Sequence, residues 1–541
     1  LSAAWFDERK AARVPLGRRL VQCGRRGWGR PAVADTSGRA LSRGRFLTAA
    51  LLLRQRLRAR LDLGESNVGV LLPPSVAGAL ANAALALDGR VPVNLNFTAA
   101  PDAQRSAVRQ ARLRHVITAR AFVEKISPPE LDAERLFVED LLGGVGAGEK
   151  LRALFAALFA PAAALVPRQG FHADAVATIL FSSGSTGEPK GVLLSHHNIL
   201  SNIEALRMVF NSTPDDRLCA ALPFFHSLGF TATLWYPLLS GMPVTYHPNP
   251  LDAAAIARVV REDRCTMLFV TPGFLRLYLR KAEPEDFRTL RYVITGAERL
   301  PPELAQAFEE KFGVRPLEGY GATELSPVAT LSLPDVPTPW GGQIGGKPGS
   351  VGLPLPGIAV RIADPETGRT LPDGTPGELW IKGPNVMLGY LDRPDLTAEA
   401  IRDGWYRTGD IACVDPDGFV VLTDRLSRFS KIAGEMVPHG AVEQVLQRGL
   451  NRLDAVVAVT SVPDERRGER LAVLYTPEAG PVGELQRIVA ESDLPNLWKP
   501  APEDYLAVPA LPLMGSGKLD LGRLKAMARG PGDPRTAAAK L

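Results

Sequence analysis

The chain has 541 residues, 45% apolar and 22% charged, with a formal net charge of +5. That is enough to bury a large core in more than one domain, and the balance is that of a globular protein, not a disordered or fibrous one. No apolar run is long enough to span a bilayer, and the N-terminus lacks the unbroken apolar core of a signal peptide.

Four cysteines (Cys23, Cys219, Cys265, Cys413) are scattered without metal-type spacing. That fits a reducing compartment and an expected cytoplasmic location. The chain begins at Leu1, not Met, as a processed or truncated piece would. Charge is uneven: residues 1–60 carry 15 Lys or Arg against 3 Asp or Glu, near +12, so the remainder is near −7. Two readings stand. Arginine is the default surface residue of this chain, or this region meets anionic lipid or an acidic partner. No nucleic-acid-binding motif accompanies the arginines, so nucleic acid is not an expected partner.

Residues 31–140 alternate strand-like and helix-like segments. Val68–Leu72 and Val91–Leu95 read as strands and Ser75–Leu87 as a helix, which predicts parallel sheets with helices packed on them. Residues 143–150 are Gly-rich and read as a loop. Ala153–Val166, interrupted by Pro161, reads as a packed core helix in preference to an interfacial anchor, because it has no basic face of its own.

The stretch Ala175–Phe181 is an apolar strand that breaks into Ser182, Ser183, Gly184, Ser185, Thr186 and Gly187, with Lys190 beyond and a second strand at Val192–Ser195. Small residues let the backbone curl so that several N–H groups face one anion. The hydroxyls add donors, and the lysine is a mobile charge that reaches a phosphate. The loop reads as a phosphate cradle. It is not the P-loop of NTPases, since Gly187-Glu188-Pro189-Lys190-Gly191 lacks the Gly-Lys-Ser/Thr ending.

Further strands are expected at Arg217–Leu222, Cys265–Val270 and Arg291–Ile294, each ending in turn residues where α/β sheets place ligands. His247 and Asp252 match the His-x4-Asp spacing of glycerolipid acyltransferases, but no Glu-Gly-Thr block follows, and the match reads as coincidence. In Gly319-Tyr320-Gly321-Ala322-Thr323-Glu324 the glycines allow close approach to a flat ring, Tyr320 offers a stacking face and Glu324 offers hard oxygens to Mg²⁺. From Val351 to Thr423 short alternating runs between Gly/Pro/Asp turns predict a β-rich subdomain containing Asp410, a carboxylate able to hold ribose hydroxyls. A smaller domain follows Arg425.

SSGSTGEPKG resembles the signature loop of the adenylate-forming superfamily: acyl-CoA synthetases, peptide-synthetase adenylation domains and luciferase. Later blocks follow in that superfamily's order. The resemblance implies an α/β fold: a large domain over 1–424, with αβ subdomains at 1–170 and 171–340 and a β-rich subdomain at 341–424, then a small mobile α+β domain over 425–541. It implies ATP and Mg²⁺ as cofactors. Ser182, Thr186 and Glu324 would hold the metal, and Thr323 would lie near the α-phosphate. Gly296, Ala297 and Glu298 would flank adenine, and Asp410 and Arg425 would contact ribose or phosphate. His226 would line the acyl pocket. Lys518, in Pro512–Lys518, would be the adenylation lysine bridging substrate carboxylate and α-phosphate. The hinge position, usually Asp or Lys, is Ser427, and Lys431 to Gly434 would form the thioester face.

More narrowly, KIAGEMV (Lys431–Val437), PLMGSGK (Pro512–Lys518), KGPNVMLGY (Lys382–Tyr390) and ALPFFHSLG (Ala221–Gly229) resemble the acyl-carrier-protein synthetase part of bacterial 2-acylglycerophosphoethanolamine acyltransferase/acyl-ACP synthetases. The acyltransferase part of that family has no counterpart in these 541 residues. The implied reaction activates a fatty acid and transfers it to holo-acyl carrier protein, at the cytoplasmic face of the inner membrane. Arg425, Arg428 and Lys431 would form a basic docking surface for that acidic partner. The rival readings are a long-chain acyl-CoA synthetase, with CoA as acceptor, and a non-catalytic ATP- or lipid-binding module.

Overall fold

The computed structural model describes residues 13–166, 172–182, 188–210, 212–213, 215–337, 341–433, 435–450, 456–464, 466–512 and 519–529. Its largest sheet has nine strands. Six neighbours run parallel: Pro316–Gly321, Tyr292–Thr295, Met267–Val270, Leu218–Ala220, Val244–Tyr246 and Pro31–Asp35. Antiparallel strands close both sides. The inner strands are buried along their length, as parallel strands covered on both faces must be.

A second, four-stranded parallel sheet is built from Asn67–Val70, Val91–Asn94, His115–Thr118 and Glu134–Phe137. The helix Val76–Asp88 is buried at every residue. It starts where Ser75 accepts from the Gly78 N–H and stops at Gly89, which takes φ 77°. The hairpin Val176–Ser182/Lys190–Ser195 forms a third sheet with Gly389–Tyr390. The two αβ segments are thus interlocked. Pro31–Asp35 lies in the large sheet, while the Thr178 hydroxyl donates to the Pro92 carbonyl in the other direction, 2.7 Å away.

The segment after residue 143 departs from its reading. A helix runs over Ala147–Phe159, starting inside the expected loop, with the Glu149 carboxylate accepting from the Gly146 N–H at 3.1 Å. Pro161 does end it, and a short helix Ala162–Leu165 follows. It is not a packed core helix: only Ala153 and Ala157 are buried, and Leu151, Phe155, Leu158 and Phe159 face outward. The small residues let it lie close to the helices Leu16–Arg25 and Arg43–Arg58, and Arg25 donates to the carbonyls of Ala156, Ala157 and Ala160. Among the described residues no helix is long and apolar enough to cross a membrane.

The β-rich reading of 351–423 corresponds to a five-stranded antiparallel sheet of Ala359–Ala363, Gly377–Lys382, Ile401–Arg402, Trp405–Val414 and Val420–Arg425. Arg425 is the last residue of that sheet. After the turn Leu426–Arg428 the next strand, Phe429–Ile432, belongs to a separate sheet with Glu435–Pro438, Gly468–Tyr475, Val457–Asp464 and Tyr505–Ala507. That sheet and the helix His439–Gly449 have a core of their own around Val437, Val442, Leu446 and Val473.

Candidate active site

The C-terminal ends of the parallel strands bring the expected residues to one edge of the large sheet. After Leu218–Ala220 the chain turns through Pro223–Ser227. A Cβ on Gly229 would fall 2.0 Å from the Pro223 carbonyl oxygen, so the turn closes only over glycine. His226 is exposed on this turn with its ring 4.6 Å from that of Phe225. Phe225 packs edge-on against Phe97, which packs on Phe122. Leu228 comes within 3.8 Å of where a Cβ on Gly296 would sit, which joins this turn to the Gly296-Ala297-Glu298 segment. Ala297 takes φ 73°, a left-handed conformation that costs a side-chain-bearing residue. Gly321 approaches its neighbours so closely that a Cβ would lie 1.9 Å from the Pro327 oxygen.

Asp410 is buried in the strand Trp405–Val414. One carboxylate oxygen accepts from the Tyr320 hydroxyl at 2.5 Å, and the other is 3.2 Å from Arg425 Nε. Arg425 is Asp410's direct partner on the antiparallel strand. Burial, then the Asp410 charge, holds the Tyr320 phenol well above its ordinary range, so it stays a donor. Tyr320 is thereby anchored at its hydroxyl, leaving the half-buried ring beside Gly319 and Gly321.

Glu324 lies in the short turn Thr323–Leu325, and its Oε1 accepts from the Tyr390 hydroxyl at 2.8 Å. Burial, then the Glu324 charge, raises the Tyr390 pKa. The Lys190 ammonium lies 5.5 Å over the Tyr390 ring. Lys190 stands opposite Ser182 in the hairpin, whose hydroxyl donates to the Lys190 carbonyl at 3.5 Å. The two ends of the Ser/Thr loop and the Glu324 carboxylate are therefore held together through one tyrosine. Ser183, Gly184, Ser185, Thr186 and Gly187 lie outside the described residues, as do Gly434 and Lys518.

The reading of Arg428 as an exposed docking charge is corrected. Arg428 is largely buried, 2.5 Å from Glu443 and 3.6 Å from Asp424. Its guanidinium lies between Asp424 of the β-rich strand Val420–Arg425 and Glu443 of the helix His439–Gly449, and so ties the turn to both; it is not offered to a partner. Lys431 is exposed, with Nζ 4.0 Å from Glu366. Ser427 lies in the turn between the two sheets. His247 is buried, bonded to the Thr36 hydroxyl at 2.9 Å, while Asp252 caps the helix Ala253–Glu262. The two also approach each other, with His247 Nε2 3.7 Å from Asp252 Oδ2, and each has a structural partner besides.

Comparison with known proteins places this geometry. The family profile described as "AMP-binding enzyme" matches residues 21–391. The chain belongs to the AMP-binding enzymes. A feruloyl-CoA synthase of Amycolatopsis sp is 33% identical over 356 residues, covering 65% of this chain and 70% of the relative. A medium-chain fatty-acid–CoA ligase of Escherichia coli is 32% identical over 355 residues, covering 64% and 60%. Among solved structures, ATP-bound MatB from Rhodopseudomonas palustris superposes with a TM-score of 0.77 at 26% identity, covering 94% of this chain and 98% of that one. The o-succinylbenzoate CoA synthetase of Bacillus subtilis, bound to its acyl-adenylate, gives a TM-score of 0.78 at 23% identity with the same coverage. The architecture is the adenylate-forming fold, a large N-terminal and a smaller C-terminal domain.

As an AMP-binding enzyme the chain is an ATP-dependent, AMP-forming acid–thiol ligase that uses Mg²⁺. The donor set suits that metal. Among the described residues no three His, Cys, Asp or Glu gather into a metal cage. Mg²⁺ takes one or two carboxylates and fills its shell with phosphate oxygens and water, so it needs no such cage.

Two contacts in this AMP-binding enzyme were not visible as spacing. Tyr390, in the KGPNVMLGY block, is the residue that holds Glu324. Glu318 precedes Gly319, and its carboxylate accepts from the Leu300 N–H at 2.9 Å. Burial raises its pKa to about 7. The folded state thus favours the protonated form. Its contribution to stability is full below the ordinary carboxylate pKa and is lost as pH rises through about 7. Glu318→Gln keeps the acceptor and removes the charge. It should raise the melting temperature by roughly 2–4 °C at pH 8.5 and leave it unchanged at pH 4.5. An equal shift at both pH values would show that the carboxyl does not titrate there. Tyr320→Phe removes the donor to a buried carboxylate while keeping the ring. Charged hydrogen bonds of this kind contribute about 1.5–3 kcal/mol, so the KM for ATP in pyrophosphate exchange should rise about tenfold or more. An unchanged KM would mean that Asp410 does not depend on Tyr320 for its position.

Proposed function

We propose that this chain activates a fatty acid and transfers it to the phosphopantetheine thiol of holo-acyl carrier protein. The observation that supports a two-step ligase most directly is the convergence of Glu324, Tyr320 and Asp410 with the ends of the Ser/Thr loop at one sheet edge. In the first step a carboxylate oxygen bonds to the α-phosphorus of ATP, and the bond to pyrophosphate breaks. In the second the thiol sulfur bonds to the acyl carbonyl carbon, AMP leaves and the thiol proton goes to solvent. Bound Mg²⁺ supplies charge neutralisation on the phosphates. Lys518 stabilises charge between carboxylate and α-phosphate, Thr323 adds a hydroxyl there, and Asp410 holds the ribose. Gly296, Ala297 and Glu298 flank the base opposite Tyr320. The aromatic group Phe97, Phe122 and Phe225 beside His226 supplies an apolar wall suited to an acyl chain.

In this reading the large domain is 1–424, divided at 170 and 340, and the small domain is 425–541. The small domain swings about Ser427 to present Lys518 and then the face from Lys431 to Gly434. One site serving two half-reactions needs two populated arrangements. Ser427→Pro should spare adenylation and block thioester formation. Equal loss of both half-reactions would count against a hinge there.

The acceptor rests on the KIAGEMV and PLMGSGK blocks. The curated relatives favour the second reading, CoA, since those reported above bear names of CoA ligases. Lys518→Ala should abolish fatty-acid-dependent ATP–pyrophosphate exchange while ATP binding persists, which also separates a ligase from a passive ATP- or lipid-binding module. For the native chain, transfer of a radiolabelled acyl group to holo-acyl carrier protein should exceed transfer to CoA. The reverse order would make the protein an acyl-CoA ligase.

A further inference from the structure

The parallel sheet has an opposite edge that the chemistry above does not use. There, at the N-terminal ends of the strands, a cleft of about 810 Å³ is lined by Arg30, Arg43, Arg217, Arg264 and Arg288, with Asp215 as its acidic residue. The sequence scatters these arginines over more than 250 positions. The topology gathers them. Arg30 and Arg217 immediately precede the strands Pro31–Asp35 and Leu218–Ala220, and Arg264 and Arg288 lie just before Met267–Val270 and Tyr292–Thr295. Those strands are near neighbours in the sheet order, about 4.8 Å apart at each step.

Arg43 enters from the helix Arg43–Arg58. Its guanidinium donates to the Arg26 carbonyl at 2.7 Å and to the Gly241 carbonyl, and its Nε is buried without a partner. These acceptors fix the group in place and leave its charge unbalanced. A Cβ on Gly27 would meet both Arg30 and Arg43, at 3.0 and 3.1 Å, so the two cations are neighbours. The nearby Asp216 is already bound by Arg291, at 2.8 Å, and by Thr213 and Thr266. Among the described residues no ion pair joins any of the five lining arginines to an acid.

Two ordinary explanations fall short. Cations at helix C-termini offset the helix dipole, but only within the last turn. Arg264, following the helix Ala253–Glu262, and Arg288, capping the short turn Pro284–Phe287, meet that condition. Arg217 stands eight residues past Val209, and Arg30 five past Arg25. Nor are these isolated solvated arginines, because five of them share one concavity, where low-dielectric walls focus the field. Guanidinium forks match phosphate oxygens in pairs. The lining holds no aromatic residue on which a nucleobase could stack.

We propose that this cleft binds a polyphosphate: an anion with two or more linked phosphate groups, read by charge and fork geometry. The phosphate chain comes either from free inorganic polyphosphate or from a nucleotide. The test is calorimetric titration of the full chain with sodium tripolyphosphate, its catalytic site first saturated with a non-hydrolysable acyl-adenylate analogue, which carries no linked phosphates. One tripolyphosphate per chain should still bind, more weakly as salt rises. The double variant Arg217→Ser/Arg264→Ser should bind at least about tenfold more weakly with its melting temperature preserved. If that variant fails to fold, Arg288→Ser alone supplies the same comparison. Competition by excess ATP would identify the nucleotide chain as the source, and its absence would identify free polyphosphate. Loss of all binding once the catalytic site is filled would overturn the proposal. So would affinity unchanged in the variants, or equal binding of sulfate at matched ionic strength.

Discussion

The carboxylate of Asp410 is where three parts of the molecule meet. Tyr320 reaches it from the end of the large parallel sheet, the Asp410 backbone belongs to the β-rich sheet, and Arg425 is the last residue before the turn into the small domain. A buried carboxylate is tolerated only when it is paired and hydrogen-bonded. Meeting that demand with a phenol from one sheet and a guanidinium from another fixes their relative position. It also places the entrance to the small domain one residue from the group that the family assigns to ribose. The chain enters the small domain from an anchored point, because strand pairing between Asp410 and Arg425 ends where the turn begins.

The second anchor, Tyr390 on Glu324, works in the same way on the other side of the site. A strand of two residues, Gly389–Tyr390, adds to the Ser/Thr hairpin, and its tyrosine crosses to the carboxylate. The hairpin and the turn Thr323–Leu325 are thus set against each other, and the Ser/Thr loop has fixed ends. Preorganisation of this kind lets binding energy go to the reacting groups instead of to ordering the site.

The parallel strands Asn67–Val70, Val91–Asn94, Leu218–Ala220, Met267–Val270 and Tyr292–Thr295 were legible in the sequence because each is a short apolar run that ends in turn residues, whereas Pro31–Asp35 and Val244–Tyr246 were not named as strands. Their pairing was not, since nothing local records that Pro31–Asp35 joins Val244–Tyr246. The glycine-rich blocks were legible as close approaches, and the structure gives the cause, with backbone oxygens about where a Cβ would sit at Gly229 and Gly321. Apolar composition misled at Ala147–Phe159, where Ala153 and Ala157 face inward and Leu151, Phe155, Leu158 and Phe159 outward. Net charge misled at Arg428, whose partner Glu443 lies fifteen residues away across a small core. Tyr390 and Glu324 are 66 positions apart in the sequence, so their bond had no local signal.

On the proposed readings the two edges of the large sheet would handle anions by opposite means, and the difference follows from what each edge would have to do. At the catalytic edge fixed cations are few among the described residues. Arg425 is balanced by Asp410, and Lys190 is a flexible point charge. Hydroxyls, backbone N–H groups and a metal would neutralise phosphate there without committing to one position of the charge. That suits a reaction in which negative charge moves onto departing pyrophosphate. Arginines clamped there would hold the ground state and the leaving group as firmly as the transition state, which lowers KM without raising kcat. No bond changes at the opposite edge, so rigid guanidinium groups such as Arg43, held by the carbonyls of Arg26 and Gly241, carry no such penalty. A parallel sheet separates the two regimes on its own, since every strand begins at one edge and ends at the other.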